Sequence, residues 1–306
     1  MAVISQGKVL KSNGTYQEIS TIRKGDSVMN MYGKPVRVRN LIEKKNSSNI
    51  PILKLKHDNW FTTTTCSEYQ QILTWDNRER VPKWVQADYF SSEEQPITLL
   101  PSRMDWSLPD NFNIETNFCT LQSSKELGFL FGAYMRIGYQ KNVGTIGFHC
   151  DTSKQVVGIM VVEYIKKLFN VDPQYRRGAF TYDVDFENDV LYNIFSDLMD
   201  KKLPDKYHCK NKDFIEGVNQ GIMYSGHLGQ LGVSNTNIYE TLYWTSLCLG
   251  KPVNTGQLVR KYRGIPFLTS FGRLFKFDRI KIDSWTLDVD CETGSFIVDN
   301  LIVRND

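Results

Sequence analysis

Both ends of this 306-residue chain are built from short runs of β-forming residues, whereas its middle has the apolar spacing of helices. From Met1 to about Leu100, runs such as GKVL, EISTI, ILKLK and QILTW alternate with turn residues. The same pattern returns near Leu268, in RLFKFDRIKIDSWTLDVD and SFIVDNLIV. Short runs rich in β-branched and aromatic residues, bounded by Gly, Asn and Asp, are typical of strands. The two ends are therefore predicted to be all-β.

The middle of the chain is predicted to mix helices with strands. SSKELGFLFGAYM places serine ahead of glutamate and a dense apolar run, which is typical of a capped helix start. TSKQVVGIMVVEYIKKLF carries apolar residues on one helical face, and DVLYNIFSDLMDKK and NIYETLYWTSLCLG have similar spacing. GTIGFHC and GAFTYDVDF have the composition of strands.

A segment rich in Pro, Asn and Asp, Pro101 to Thr120, separates the first all-β region from the mixed one and is typical of a linker. Because the two ends match each other and the middle does not, we expect one domain inserted into a loop of another. The expected division is residues 1–110 and 268–306 for the all-β domain and 120–265 for the inserted domain.

Composition excludes several classes of protein. The net charge of +3 permits a local basic face for nucleic acid but does not require one. Six cysteines without a CxxC pair and four histidines complete no zinc spacing, so we expect no structural metal. The N-terminus lacks the pattern of a signal peptide, and no run approaches the roughly 20 apolar residues of a membrane helix. We expect an intracellular monomer with reduced thiols and no membrane partner.

Four terminal stretches resemble the sequence blocks of inteins, which belong to the Hint superfamily. AVISQGKVLKSNGTYQEISTIRKGDSVMNMYGKPVRV is similar to the first block, and FTTTTCSEYQQILT resembles the second. Trp84 and Ala87 match a "W..A..L" region, and WTLDVDCETGSFIVDNLIVRN resembles the paired terminal blocks. The resemblance implies a horseshoe-like, all-β splicing domain made from both ends of the chain, with host extein sequences as partners and no cofactor.

The resemblance also implies a chemistry in which distant residues meet. A Cys or Ser at the first position attacks the preceding carbonyl, and a second-block His supports that step. A final Asn then cyclises and cuts the C-terminal junction, helped by a neighbouring His. The nucleophile and this Asn must be adjacent in space.

The reactive positions depart from the intein pattern. Ala2 stands at the position of the first nucleophile and Gln70 at the second-block histidine. Gly294 falls at the histidine that often precedes Phe296, and Arg304 replaces the penultimate histidine. Asn305 matches the cyclising residue. We therefore expect splicing to be impaired.

Cysteines in the matching blocks offer an alternative nucleophile. Cys291, or Cys66, could replace the first residue, or both could be small core hydrophobes. Thr286 aligns with the usual place of an alternative nucleophile, which favours the core interpretation of Cys291. Asp288 and Asp290 could orient a splicing group or form the solvated face of a strand.

The middle of the chain resembles a LAGLIDADG homing endonuclease. LFGAYMRIG, Leu130 to Gly138, is similar to the first motif and GIMYSGH, Gly221 to His227, to the second. The resemblance implies an α+β domain with two αββαββα repeats, whose motif helices pack through small residues and deliver one Asp each to Mg²⁺. Those positions are Ile137 and Gly226 here. Mg²⁺ is thus expected only if the nuclease is active, and cleavage is predicted to be lost.

Double-stranded DNA is the partner that the nuclease resemblance implies. Arg176 and Arg177, and the cluster Arg260, Lys261 and Arg263, could contact phosphates or be solvated surface. The prediction is an intein-like splicing element with an inserted, DNA-binding endonuclease-like domain. The alternatives are a non-catalytic DNA-binding or structural remnant, and a free-standing endonuclease that carries a Hint domain.

Overall fold

The computed structural model describes residues 4–45, 52–57, 63–91, 97–117, 120–178, 181–226, 236–250, 258–263, 265–270, 274–275, 279–280, 285–291, 293–299 and 301–304. The backbone divides into two compact units. Unit 1 contains residues 1–107 and 250–306, and unit 2 contains residues 108–249. Strands dominate unit 1 and helices alternate with strands in unit 2, so the chain is an α+β protein of two units.

The described residues in the first part of unit 1 lie mainly in strands. These strands are β1 (Ile4–Gln6), β2 (Lys8–Leu10), β3 (Tyr16–Glu18), β4 (Ser27–Met29), β5 (Pro35–Lys45), β6 (Ile52–His57), β7 (Thr63–Ser67), β8 (Gln71–Asp76), β9 (Val81–Gln86) and β10 (Ile97–Pro101). In the turn between β4 and β5, Gly33 has a φ of 71° and its Cα faces the carbonyl of Arg103. A side chain there would overlap that carbonyl, so only glycine allows the segment after β10 to dock on this turn.

Unit 2 alternates helices with strands. Its elements are β11 (Asn113–Glu115), β12 (Thr120–Gln122), α1 (Lys125–Ile137), β13 (Gly138–Asn142), β14 (Thr145–Asp151), α2 (Gln155–Phe169), β15 (Gln174–Arg177), β16 (Thr181–Glu187), α3 (Asp189–Ser196), α4 (Lys212–Ser225) and α5 (Thr236–Leu249). Ser124 caps α1 by accepting a hydrogen bond from the N–H of Leu127 at 3.2 Å. Asn211 caps α4 in the same way through the N–H groups of Asp213 and Phe214. No helix among the described residues is long and apolar enough to cross a membrane.

The chain then returns to unit 1. Its last strands are β17 (Leu258–Tyr262), β18 (Ile265–Ser270), β19 (Leu274–Phe275), β20 (Arg279–Ile280), β21 (Trp285–Cys291), β22 (Ser295–Val298) and β23 (Leu301–Arg304). Strands from the two ends of the chain pair directly, because β21 lies between β1 and β5, and β23 lies between β8 and β22. Both ends also contribute to one apolar core, in which Val9 and Ile72 pack with Phe296 and Val303. Unit 1 therefore cannot form its core until both ends of the chain are present.

A four-stranded antiparallel sheet organises unit 2, in the order β13-β14-β16-β15. One face of this sheet is buried under the helices through Ile146, Phe148, Val184 and Phe186, each of which is fully buried. Aromatic rings meet edge to face in this core, for example Tyr134 against Phe195 with ring centroids 4.8 Å apart. The other face of the sheet, which we call the open face, carries the alternate residues.

The described residues of unit 2 contain one complete αββαββα repeat, where the resemblance implied two. Helices and strands from α1 to α3 follow that order once. After α4, the described residues of unit 2 contain only α5, so the second repeat lacks its strands there. The strands β17 and β18 pair with each other, and β18 pairs with β10 in unit 1. The compact units divide at 249/250, whereas the sequence placed residues up to 265 in the inserted domain.

Candidate functional site

Both ends of the chain lead to one corner of unit 1, the turn between β7 and β8. Near the N-terminus, Ile4 pairs with Cys66 at the end of β7. Near the C-terminus, Arg304 pairs with Gln71 at the start of β8. Gln70 lies between these two pairings, in the turn that joins the strands. Antiparallel pairing to both arms of one turn thus brings distant parts of the sequence to the same corner.

Gln70 holds the backbone of the C-terminal strand. Its side chain is buried, and Nε2 donates hydrogen bonds to the carbonyl oxygen of Arg304 at 2.8 Å and to that of Gln71 at 3.2 Å. The guanidinium of Arg304 lies over the ring of Trp84, 5.9 Å from its centroid, which is a cation–π arrangement. Arg304 therefore contacts two other residues, Gln70 and Trp84, that the resemblance to inteins singled out. Ala2 and Asn305 lie outside the described residues.

Gly294 has a structural reason to be glycine. It has a φ of 64° in the turn between β21 and β22, and its N–H donates to the carbonyl of Cys291 at 3.0 Å. A histidine there would adopt a backbone conformation that side chains disfavour.

Neither cysteine of the terminal blocks is exposed. Cys66 and Cys291 are both buried, and the thiol of Cys291 donates to the carbonyl of Ser295 at 3.2 Å. Burial raises the pKa of Cys66 to about 12. A neutral, buried thiol is a poor nucleophile. In the strand before Cys291, the backbone of Thr286 pairs with Lys44, but the side chains of residues 285–290 lie outside the described part of the structure.

Asp299 is a buried group that the sequence analysis did not select. One carboxylate oxygen accepts the N–H of Lys8 at 3.0 Å and the other accepts the hydroxyl of Thr64 at 2.5 Å. Its own N–H donates to the carbonyl of Lys8 at 2.9 Å. The carboxylate thus joins β2, β7 and the hairpin of β22 and β23. Its sequence context, SFIVDNLIV, is typical of a turn between two strands and gives no signal of burial.

The two helices that carry the LAGLIDADG-like motifs pack backbone to backbone. Side chains added at Gly128 and Gly132 of α1 would overlap carbonyl oxygens of α4, and side chains added at Gly217 and Gly221 would overlap those of α1. Such close approach requires glycine on both helices. The two helices therefore contact each other through their small residues, as the motifs predicted.

The foot of this helix pair does not fit a magnesium site. Ile137 ends α1 and Gly226 follows α4, and neither offers a side-chain oxygen. The guanidinium of Arg136 lies against Gly226, where a side chain would overlap it. Arg136 also lowers the pKa of Lys154, second to the effect of burial. The described residues contain no group of three or more His, Cys, Asp or Glu that could hold a metal ion.

The open face of the unit 2 sheet is centred on a buried carboxylate. Asp185 accepts the hydroxyl of Tyr139 at 2.6 Å and the guanidinium of Arg176 at 2.5 Å, and Lys141 lies 3.5 Å away. Burial, and then the hydrogen bond from its hydroxyl to Asp185, raise the pKa of Tyr139. Beside it, Nδ1 of His149 lies 2.6 Å from Asp183. Because the guanidinium of Arg176 pairs with Asp185, its charge is already neutralised within unit 2.

The predicted phosphate contacts are divided between the two units, and the two arginines of unit 2 lie on opposite sides of the sheet. Arg177 pairs with Tyr182, next to α2, and so lies on the helix side of the sheet, away from the open face. Arg260, Lys261 and Arg263 belong to the hairpin of β17 and β18 in unit 1. Only Arg263 has a described side chain, and it is exposed. The sequence had placed all five residues in the inserted domain.

Comparison with known proteins adds no identification. No model of a known protein family matches the chain, and no curated protein is similar to it in sequence.

Proposed function

We propose that unit 1 is an intein-like self-processing scaffold whose remaining reaction is cleavage of the chain after Asn305. The observation that carries this proposal is the hydrogen bond from Gln70 to the carbonyl of Arg304, at the corner where Ile4 also pairs. It fixes the backbone immediately before Asn305 against the segment that resembles the second intein block.

The proposed reaction needs no external nucleophile. The side-chain nitrogen of Asn305 attacks its own carbonyl carbon and forms a succinimide ring. The bond to the nitrogen of Asp306 breaks, and the proton lost from the attacking amide is taken up by that leaving amine. Gln70 would act as a positioning residue, because holding the preceding peptide restricts the conformations of the cyclising residue. Ligation of exteins is not proposed for the chain as it stands, since Ala2 has no group that can attack.

Fusion to two reporter proteins tests this proposal. With the chain placed between them, we expect slow release of the C-terminal reporter and a succinimide at the new C-terminus, detected by mass spectrometry. Asn305→Ala should abolish release, and Gln70→Ala should slow it about tenfold. Gln86→Ala is the matched control, because Gln86 is exposed on β9. Release that continues unchanged in Asn305→Ala, or no release at all from the parent fusion, would overturn the proposal.

For unit 2 we propose a LAGLIDADG-like domain that does not cleave DNA. The support is the glycine-packed pair of α1 and α4 together with the guanidinium at its foot. Duplex DNA as a partner would have to approach Asp151, Asp183, Asp185 and Glu187 on the open face, where Arg176 and Lys141 already pair with Asp185. This charge distribution favours a structural role for unit 2.

Two measurements on a library of genomic DNA fragments test the proposal for unit 2. We expect no double-strand breaks in the presence of Mg²⁺. In a filter-binding assay at 150 mM salt, we expect the protein to retain no DNA sequence in preference to the others. A specific cut would overturn the loss of cleavage. Retention of one sequence with a steep dependence on salt would overturn the structural role in favour of DNA binding.

A further inference from the structure

The helix side of the unit 2 sheet is left uncovered at β15. Helix α2 packs against β14, and β15 is the outermost strand on that side of the sheet. The space between α2 and β15 is a groove of about 430 Å³, lined by Gln155, Ile159 and Val162 of the helix and by Tyr175, Arg177 and Tyr182 of the strands. Grooves of this volume are large enough to hold several side chains of a ligand.

Large apolar side chains in and beside the groove are exposed to solvent. Tyr175 is 63% exposed, Ile159 is 49% exposed, and the neighbouring Val156 is 67% exposed. Gly158 leaves room in the helix for the hydroxyl of Tyr182, which donates to the carbonyl of Gln155 at 3.1 Å and closes the floor. A contiguous exposed apolar surface with few polar groups often marks a binding site.

The strand beside the groove has an unpaired edge. β15 pairs with β16 on one side, and no strand among the described residues pairs with its other side. Backbone N–H and C=O groups along such an edge can accept an additional strand. An extended peptide bound there would point alternate side chains into the groove, because side chains alternate across a strand.

The charges at the groove are of one sign. Among the residues that the structure describes, the charged ones that line it are Arg176 and Arg177, and the guanidinium of Arg176 is directed to Asp185 on the open face. Arg177 is exposed and makes no hydrogen bond or ion pair with the residues that the structure describes. A carboxylate on the ligand would find its partner here.

We propose that this groove binds an extended, acidic segment of a partner protein, which adds to the sheet as a strand beside β15. Its apolar side chains contact Ile159 and Tyr175, and a carboxylate pairs with Arg177. This inference is independent of the self-processing reaction proposed for unit 1.

Selection of random eight-residue peptides on the full chain tests the proposal. The recovered peptides should alternate apolar residues with other residues and contain Asp or Glu. Ile159→Lys and Arg177→Glu should each weaken their binding at least tenfold. Matched controls are Val143→Lys, which adds the same charge at an exposed apolar residue in the turn after β13, and Lys210→Glu, which reverses an exposed charge elsewhere in unit 2. All four sites are at least partly exposed, so the variants should fold.

Methylation of the peptide backbone separates strand addition from simple apolar contact. A methyl group on alternate amide nitrogens should abolish binding for one set of positions and leave it nearly unchanged for the other, because only one set faces β15. No recovered peptides, recovered peptides that are basic, or equal binding to Ile159→Lys would overturn the proposal. So would a dimer of the chain, detected by sedimentation, that Ile159→Lys dissociates, since the occupant would then be a second copy.

Discussion

Gly132 of α1 lies against Gly221 of α4, so that a side chain on Gly132 would place its Cβ 3.0 Å from the Cα of Gly221. The two residues occupy equivalent positions in the two LAGLIDADG-like motifs. Their contact shows that the paired motifs, recognised separately in the sequence, form one helix crossing. The close approach follows from the small residues and does not depend on the acids that the motifs lack.

The first prediction concerns this crossing. Gly221→Ala should lower the free energy of unfolding by about 2 kcal/mol, because the new methyl group overlaps the carbonyl of Phe129 and lies 2.7 Å from the nitrogen of Ala133. In an unobstructed helix the same change would stabilise by about 1 kcal/mol. Urea unfolding followed by circular dichroism measures the change in unfolding free energy. A decrease supports backbone contact between the helices, and an increase contradicts it.

Ser225→Ala is the matched control for the crossing. It lies one turn after Gly221, and its buried hydroxyl has no hydrogen-bond partner in the described part of the structure. Removing that hydroxyl should leave the stability unchanged or raise it by about 1 kcal/mol. If Gly221→Ala were as stable as Ser225→Ala, the helices would not be in backbone contact.

The second prediction compares two adjacent arginines. Arg176→Ala should cost about 2 kcal/mol of unfolding free energy, because it removes a charged partner from Asp185, which is 2% exposed. Arg177→Ala should change stability by less than about 0.5 kcal/mol, since its exposed side chain has no described partner. Thermal unfolding of the two variants side by side measures this difference. Equal losses would contradict the assignment of the two side chains to opposite faces.

Local signals predicted the elements of unit 2 well. The serine before KELGFLFGAYM predicted the start of α1, and the cap at Ser124 confirms it. The apolar spacing of QVVGIMVVEYIKKLF predicted α2, which the structure confirms at Gln155–Phe169. The pattern of DVLYNIFSDLMDKK predicted a longer helix than α3, which ends at Ser196. There the N–H groups of Leu198 and Met199 bond to carbonyls three residues earlier, and Lys201 has a φ of 58°.

Long-range pairing could not be predicted in the same way. The sequence pattern placed residues 258–265 in the inserted domain, whereas β17 pairs with β18, and β18 extends the sheet of unit 1 through β10. Gln70 was identified only by its place in a block, whereas its contact with Arg304 depends on strand register. Asp299 reaches Lys8 and Thr64 across most of the chain. An isolated Asp between a strand and an Asn reads as a turn residue, and only the folded sheet shows its carboxylate to be buried.

The third prediction concerns Asp299. Asp299→Ala should lower the unfolding free energy of unit 1 by about 3 kcal/mol, because the N–H of Lys8 and the hydroxyl of Thr64 lose these acceptors in a buried site. Asp299→Asn should cost about 1 kcal/mol, since its amide can accept from Lys8 and donate to the Thr64 oxygen. Hydrogen exchange of the Lys8 amide locates the effect. Equal losses of unfolding free energy in both variants would show that the site requires the charged carboxylate, because asparagine keeps the volume of the side chain and can form two hydrogen bonds.

The last prediction uses the raised pKa of Cys66. Burial raises it from 9.0 to about 12, so the folded thiol stays neutral at pH values where the unfolded thiol ionises. A raised pKa means that the contribution of the neutral thiol to stability is fully present below about pH 9 and is lost progressively as the pH rises towards 12. Each unit of pH in that window should cost about 1.4 kcal/mol through this group.

A variant of Cys66 separates its contribution from those of other groups. Tyr134 and Cys150 also have raised pKa values and contribute to the same loss of stability at alkaline pH. Cys66→Ala removes the thiol and leaves those groups in place. The difference in unfolding free energy between the parent and the variant should therefore shrink between pH 8 and pH 10, measured by urea unfolding under reducing conditions. A difference that stays constant over this range would mean that the thiol is accessible to solvent, and a role for Cys66 as a nucleophile would then have to be considered.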